Sequence, residues 1–197
     1  MLLSTAYFPP LSWLAMAAGG AQIEACENYQ KQSYRNRCYI LGPSGREMLQ
    51  VPVIHGKSML ITDLEVDYST PWVVRTQRAL DTAYMTSAFY EYYRDSVFAL
   101  LDSKPRTLWE LNLSTIRFLL EKTGVGFRLF PTSDYRPSAP DDYRSVIHPK
   151  KPDIGPPRPY YQVFRDKLGG FTPSLSALDL LFNEGPASTG WILNFKK

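Results

Sequence analysis

The chain has 197 residues and a net charge of +3, with 44% hydrophobic and 21% charged residues, the balance of an ordinary globular protein. That length supports one sizeable core and barely two small ones, so a single domain over 1–197 is expected. So slight a positive balance excludes a nucleic-acid footprint over the whole surface.

Residues 2–8, LLSTAYF, form a short apolar run closed by Pro9-Pro10 and read as a buried strand. This uncharged start carries no basic segment and its apolar run is broken by the prolines, so a buried strand and helix are expected rather than a secretion signal. In PLSWLAMAAGG, Leu11, Leu14 and Ala15 recur at helical spacing and Gly19-Gly20 ends the pattern. AQIEACE is strand-like, and strand, helix and strand within so few residues predict a βαβ unit with parallel pairing. Residues 34–55 read as a β-hairpin turning at Gly42-Pro43-Ser44-Gly45. LITDLEVDYS alternates Leu60, Thr62, Leu64 and Val66 with Asp63, Glu65 and Asp67, a half-exposed strand pattern.

From 71 to 103 the pattern is helical, across one or two helices. Thr107 to Glu110 fits a capping box that opens a helix ending at Gly124. GFRLF is a further strand. Residues 131–159 are rich in Pro, Asp, Arg and Tyr with little periodicity, and a loop that long points to function or mobility. TPSLSALDLLFNEG places a cap at Thr172, Pro173 in the first turn and Gly185 past the end. GWILNF reads as a last strand. The whole predicts an α/β fold: a mixed sheet with an N-terminal βαβ unit and a β-hairpin, helices packed on the sheet. No apolar window of about 18 residues occurs, so no membrane span is expected.

Few motifs carry chemistry. Gly56-Lys57-Ser58 lacks the glycine that a phosphate loop needs five positions earlier, where Val51 stands. Cys26 and Cys38 form no CxxC pair and reach no usual zinc spacing with His55 and His148; no metal site is expected, and a reducing, cytoplasmic compartment is. As a nucleophile Cys26 is poorly placed, because Glu24 and Glu27 flank it and a thiolate needs positive neighbours. The densest polar stretch is ENYQKQSYRNR, 27–37. In an extended strand Arg35 and Arg37 would share a face, and two guanidinium forks there suit a carboxylate or phosphate. Lys31 adds a mobile charge, Glu27 a candidate base, and Tyr29 or Tyr34 a ring to stack on a ligand. The same composition also describes a solvated arm whose ion pairs contribute little. Ser176, Asp179 and Asn183 form a polar stripe on the last long helix, which a plain amphipathic helix also explains. His148, beside Lys150 and Lys151 in the long loop, is a candidate for acid–base work or anion contact.

The blocks STAYFPP, ENYQKQSYRNR, LQVPV, AYMTSAFYEYYRD and YYQVF…GGFTPSLSALDLLFNEGP, in this order, resemble the WbqC-like family in the form found in Bacteroidetes. YRNR and SLSALDLLFNEGP are the specific parts. The resemblance implies a cytoplasmic bacterial α/β protein tied to surface-polysaccharide (O-antigen and capsule) biosynthesis. It implies a transferase that decorates a sugar or amino sugar with an acyl, aminoacyl or related group, with a small-molecule donor, a sugar acceptor and pathway enzymes as partners; the cofactor stays unknown. The alternative is a non-catalytic protein that binds a glycan intermediate or a partner enzyme. Glu27, Lys31 and Asp179 are the catalytic candidates. Asn28, Tyr34, Arg35, Asn36, Arg37, His148, Asn183 and Glu184 are the substrate-binding candidates, with the loop around His148 as a lid. Two departures stand out: 75–78 (Arg-Thr-Gln-Arg) has no His after Trp72 where the family often has one, and Ala88 stands where it tends to have Pro.

Overall fold

The computed structural model describes residues 1–56, 59–155 and 158–195; Lys57 and Ser58 of the GKS stretch, Pro156 and Pro157 of the long loop, and Lys196 and Lys197 lie outside the described residues. The βαβ unit forms as β1 (Leu2–Ser4), α1 (Leu11–Ala17) and β2 (Ala21–Glu24). β1 and β2 pair in parallel, Leu3 opposite Ile23 and Ser4 opposite Glu24. Leu3 and Ile23 are fully buried, as parallel strands covered on both faces require. β1 is shorter than its apolar run because the backbone turns away after Ser4: Tyr7 N–H bonds the Tyr34 carbonyl, Phe8 N–H bonds Thr115 Oγ1, and Phe8 has a φ of 37°. α1 buries Leu11, Trp13, Leu14 and Met16, and the indole N–H of Trp13 ties it to the Ser4 carbonyl at 2.9 Å. Gly19 and Gly20 then take φ of 86° and 128°, conformations open to glycine, and return the chain into β2.

β3 (Arg37–Gly42) and β4 (Gly45–Gln50) make the hairpin, with Gly42 opposite Gly45 across the turn. It stands as a separate two-stranded sheet rather than as part of one mixed sheet. The 60–68 segment forms no strand. Its backbone partners are scattered, in isolated bridges of Leu60 with Asn28, Val66 with Val53 and Glu65 with Thr107, so no continuous ladder develops. The alternation is expressed as burial only in part: Leu64 and Val66 point into the core and Asp63 is exposed, but Ile61 is fully buried while Leu60 and Thr62 are half-buried.

Helices α2 (Trp72–Tyr84), α3 (Tyr90–Asp102) and α4 (Leu108–Lys122) follow. α4 opens on the capping box, with Glu110 N–H on Thr107 Oγ1 at 3.2 Å and Thr107 N–H on Glu110 Oε2 at 3.1 Å. β5 (Leu129–Pro131) joins β2 in parallel, giving the order β1-β2-β5. Pro131 is tolerated because β5 is an edge strand. Beyond β1, the opposite edge is met by the long loop: Leu2 N–H bonds the Asp141 carbonyl and Tyr143 N–H bonds the Leu2 carbonyl.

Two sequence expectations near the C-terminus are corrected. α5 (Ala177–Glu184) is capped by Ser176, whose Oγ accepts from Leu178 N–H at 3.2 Å, and not by Thr172. The Thr172 backbone is instead held at both N–H and carbonyl by the Gln162 amide. GWILNF falls in a helix, α6 (Ser188–Leu193), and not in a strand. Pro186 opens a 3₁₀ turn at Gly185–Ala187 that runs directly into α6, which sinks Ile192 in the core and sets Trp191 edge-on to Tyr160.

Candidate functional site

The 27–37 stretch is a series of tight turns, and β3 begins only at Arg37. Arg35 and Arg37 therefore do not share a strand face. The backbone is fixed from four sides: Tyr29 N–H on Met59 O, Ile61 N–H on Glu27 O, Val51 N–H on Asn36 O and Tyr7 N–H on Tyr34 O. From below, Asn112 of α4 donates to the Arg35 carbonyl at 2.7 Å. So many long-range bonds make this a rigid wall and not a solvated arm.

Its centre is a buried ion pair. Arg35, 3% exposed, gives Glu27 two bonds, Nε to Oε1 at 2.9 Å and Nη2 to Oε2 at 2.6 Å. The Ser4 hydroxyl, at the end of β1, accepts from Arg35 Nη2 at 2.6 Å and donates to Glu27 Oε2 at 3.1 Å. The guanidinium meant for a ligand thus serves Glu27. The carboxylate is fixed in place, with a lone pair left on Oε1.

Next to it lies a second carboxylate, Glu24 at the end of β2, wholly buried. It accepts from Thr132 Oγ1 at 2.6 Å, Cys26 N–H at 3.0 Å, Arg136 N–H at 3.3 Å and Arg144 Nη1 at 3.0 Å. Arg144 also forks onto Asp142, whose carboxyl it holds below the usual range, and stacks over the half-exposed ring of Tyr135. Ser4, Glu24 and Thr132 follow or end the three parallel strands. The carboxyl ends of such strands are where open α/β sheets bind ligands.

Clefts open there. One of about 400 Å³ is lined by Cys26, Glu27, Asn28, Tyr29, Gln30 and Tyr135. A neighbour of about 210 Å³ shares Glu27, Gln30 and Tyr135 and adds Asp142 and Arg144. A third, about 310 Å³, shares Tyr29 and continues along Lys31, Asn36, Arg37 and His55. Among the described residues no cluster of three or more His, Cys, Asp and Glu has metal-holding geometry.

The other candidates divide. His148 and Lys150 fold back on this wall: Lys150 Nζ bonds the Gln32 side chain, and His148 is driven below its usual pKa by burial and then by Arg35, Lys150 and Lys151. Tyr34 turns away, 92% buried and edge-on to Tyr39, its phenol pushed up to about 12 by burial. Asp179 is 1% exposed and lines none of these clefts. It accepts from Tyr84 at 2.9 Å, Tyr160 at 2.7 Å and Gln162 at 3.0 Å, and burial raises its pKa against those donors. Asn183 bonds the Asp179 carbonyl, and Glu184 accepts from Tyr161 N–H. This polar stripe knits the 160–172 segment to the helices. Among the described residues it shares no hydrogen-bond partner with Glu27 and Arg35.

Ser4, Glu24, Tyr135 and Arg144 escaped the sequence reading. Ser4 and Glu24 carried a usable signal, since each ends a strand of a βαβ unit. Nothing local marked Tyr135 or Arg144 within the long loop. The profile of the WbqC-like protein family matches residues 6–149, a span that holds the 27–37 wall and His148 but ends before Asp179, Asn183 and Glu184. No curated protein and no solved structure shows significant similarity to the chain.

Proposed function

Because the chain belongs to the WbqC-like protein family, we propose that it is a transferase that adds an acyl, aminoacyl or related group to a sugar or amino sugar in bacterial surface-polysaccharide biosynthesis, acting in the cytoplasm. The observation that carries this is the polar cleft at the carboxyl ends of β1, β2 and β5, with the fixed carboxylate of Glu27 in its wall. In this reading the acceptor lies against Tyr135, and Asn28 and Gln30 bond its hydroxyls. Its amine or hydroxyl attacks the activated carbonyl of the donor, the bond to the leaving group breaks, and Glu27 Oε1 takes the proton. Lys31 steadies the charge that develops on the leaving group. The free thiols of Cys26 and Cys38 agree with a reducing compartment.

A second reading has its own support. Both oxygens of the Glu27 carboxylate already accept from the Arg35 fork, and that favours a protein that recognises a glycan intermediate or a pathway enzyme without turnover. The test is a mass-spectrometric screen of sugars and amino sugars with acyl and aminoacyl donors. A mass gain on the sugar that is lost in Glu27→Gln, with the melting temperature recorded alongside, supports the transferase. Sugar binding without a mass gain from any donor, and with affinity kept in Glu27→Gln, supports the binding protein.

A further inference from the structure

Several arginines of this protein are held by carboxylates. Arg35, Arg94, Arg106 and Arg144 each hold a carboxylate within 3.0 Å. Arg37 does not. Its guanidinium makes no hydrogen bond or ion pair with any described residue, and its Nε is buried without a partner. A buried guanidinium nitrogen without a partner carries a desolvation cost.

Among the described residues, none that lines the Arg37 cleft is acidic. Lys31 and His55 stand exposed on its rim, the His55 ring 6.2 Å from that of Tyr29. Asn36, 2% exposed, gives its amide N–H to the Val51 carbonyl at 2.9 Å, while its Oδ1 is buried without a partner. A further cation reaches the edge of the cleft: Lys150 Nζ bonds the side chain of Gln32, which lines it. Glu27, in the wall of the adjoining cleft, is already neutralised by Arg35.

We propose that the cleft between the 29–37 turns and the chain leaving β4 binds a phosphate-bearing ligand, a phosphate ester or diphosphate, with Arg37 as its fork and Lys31 and His55 at its flanks. A carboxylate would occupy the Arg37 fork alone. A phosphoryl group has oxygens for all three groups and charge to match them. Tyr29 lines both this cleft and the one holding Glu27, so a ligand anchored here points its far end at the strand ends. That the ligand is the donor of the transfer reaction rests on the transferase reading; the anion site itself does not.

The test is isothermal titration of the full chain with inorganic pyrophosphate, with glutamate as the carboxylate comparison. Pyrophosphate is expected to bind, more weakly as salt rises. Arg37→Ala is expected to weaken it by about tenfold or more, the loss of a charge-assisted bond. Lys31→Ala and His55→Ala change exposed side chains and carry the test even where Arg37→Ala fails to fold; each is expected to weaken binding. No binding at millimolar pyrophosphate, unchanged affinity in these variants, or equal affinity for glutamate would each overturn the proposal. Pyrophosphate binding in a protein that transfers nothing sinks the transferase reading alone, and transfer without pyrophosphate binding sinks this one alone.

Discussion

Replacing Arg35 by Ala tests whether the 27–37 wall is held from inside. The variant strips Glu27 of two hydrogen bonds, at 2.9 and 2.6 Å, and leaves its carboxylate about 6% exposed with only the Ser4 hydroxyl. Breaking a buried pair on one side costs about 3–5 kcal/mol, because the remaining charge is desolvated and unpaired. With an unfolding entropy of about 2.1 cal/mol/K per residue, a chain of this length should melt roughly 7–12 °C lower. Glu27→Ala should cost a similar amount by exposing the opposite charge to the same fate. The double variant should cost clearly less than the two together, with a coupling of about 2–3 kcal/mol. Urea unfolding of all four proteins, read by circular dichroism, measures the cycle. A single-variant loss under about 1 kcal/mol, or simple additivity, would refute the argument that this pair organises the wall, since a solvated pair behaves in just that way.

Asp179 gives a pH prediction. Its native pKa is raised above 3.8, so its contribution to stability is fully present below that value and is lost as pH rises through the raised native value. Asp179→Asn lacks this loss, so the stability of the variant relative to the parent should climb with pH across that window; a difference that stays flat from pH 4 to 7 would contradict the reasoning. Gly185 takes a φ of 52° and a ψ of −126°, and a Cβ there would stand 2.5 Å from the Phe89 ring. Gly185→Ala should therefore cost about 1–3 kcal/mol from the backbone alone and more from the clash, read as a lower melting temperature. Thr107→Ala removes the side-chain acceptor of the α4 capping box and should cost about 1 kcal/mol, with the wall and its clefts untouched. Pyrophosphate affinity in that variant should match the parent.

How much of this was readable in advance depends on how local the signal was. Hydrophobic period and turn chemistry set out the βαβ unit, the hairpin, the helices from 72 to 122 and the capping box, because each answers to residues a few positions apart. Periodicity failed at 60–68, where alternation matched the burial of Leu64 and Val66 but missed the buried Ile61 and could not say that the backbone partners lie on separate neighbours. It failed again at GWILNF, since a short apolar run fits helix or strand equally and Pro186 decided the matter by starting a helical turn.

The candidate site follows the same division. The sequence by itself identified the 27–37 stretch as the densest polar segment and the family to which the chain belongs. Only the tertiary structure decided which of its charges are free. Arg35 and Arg37 are two residues apart and chemically identical, yet one faces Glu27 and Ser4 in the interior and the other faces an open cleft. That difference is set by β1, α4 and the Val51 carbonyl, whose positions come from distant parts of the chain. A charge is available to a ligand only where folding has left it without a partner, and partnership is a property of three dimensions.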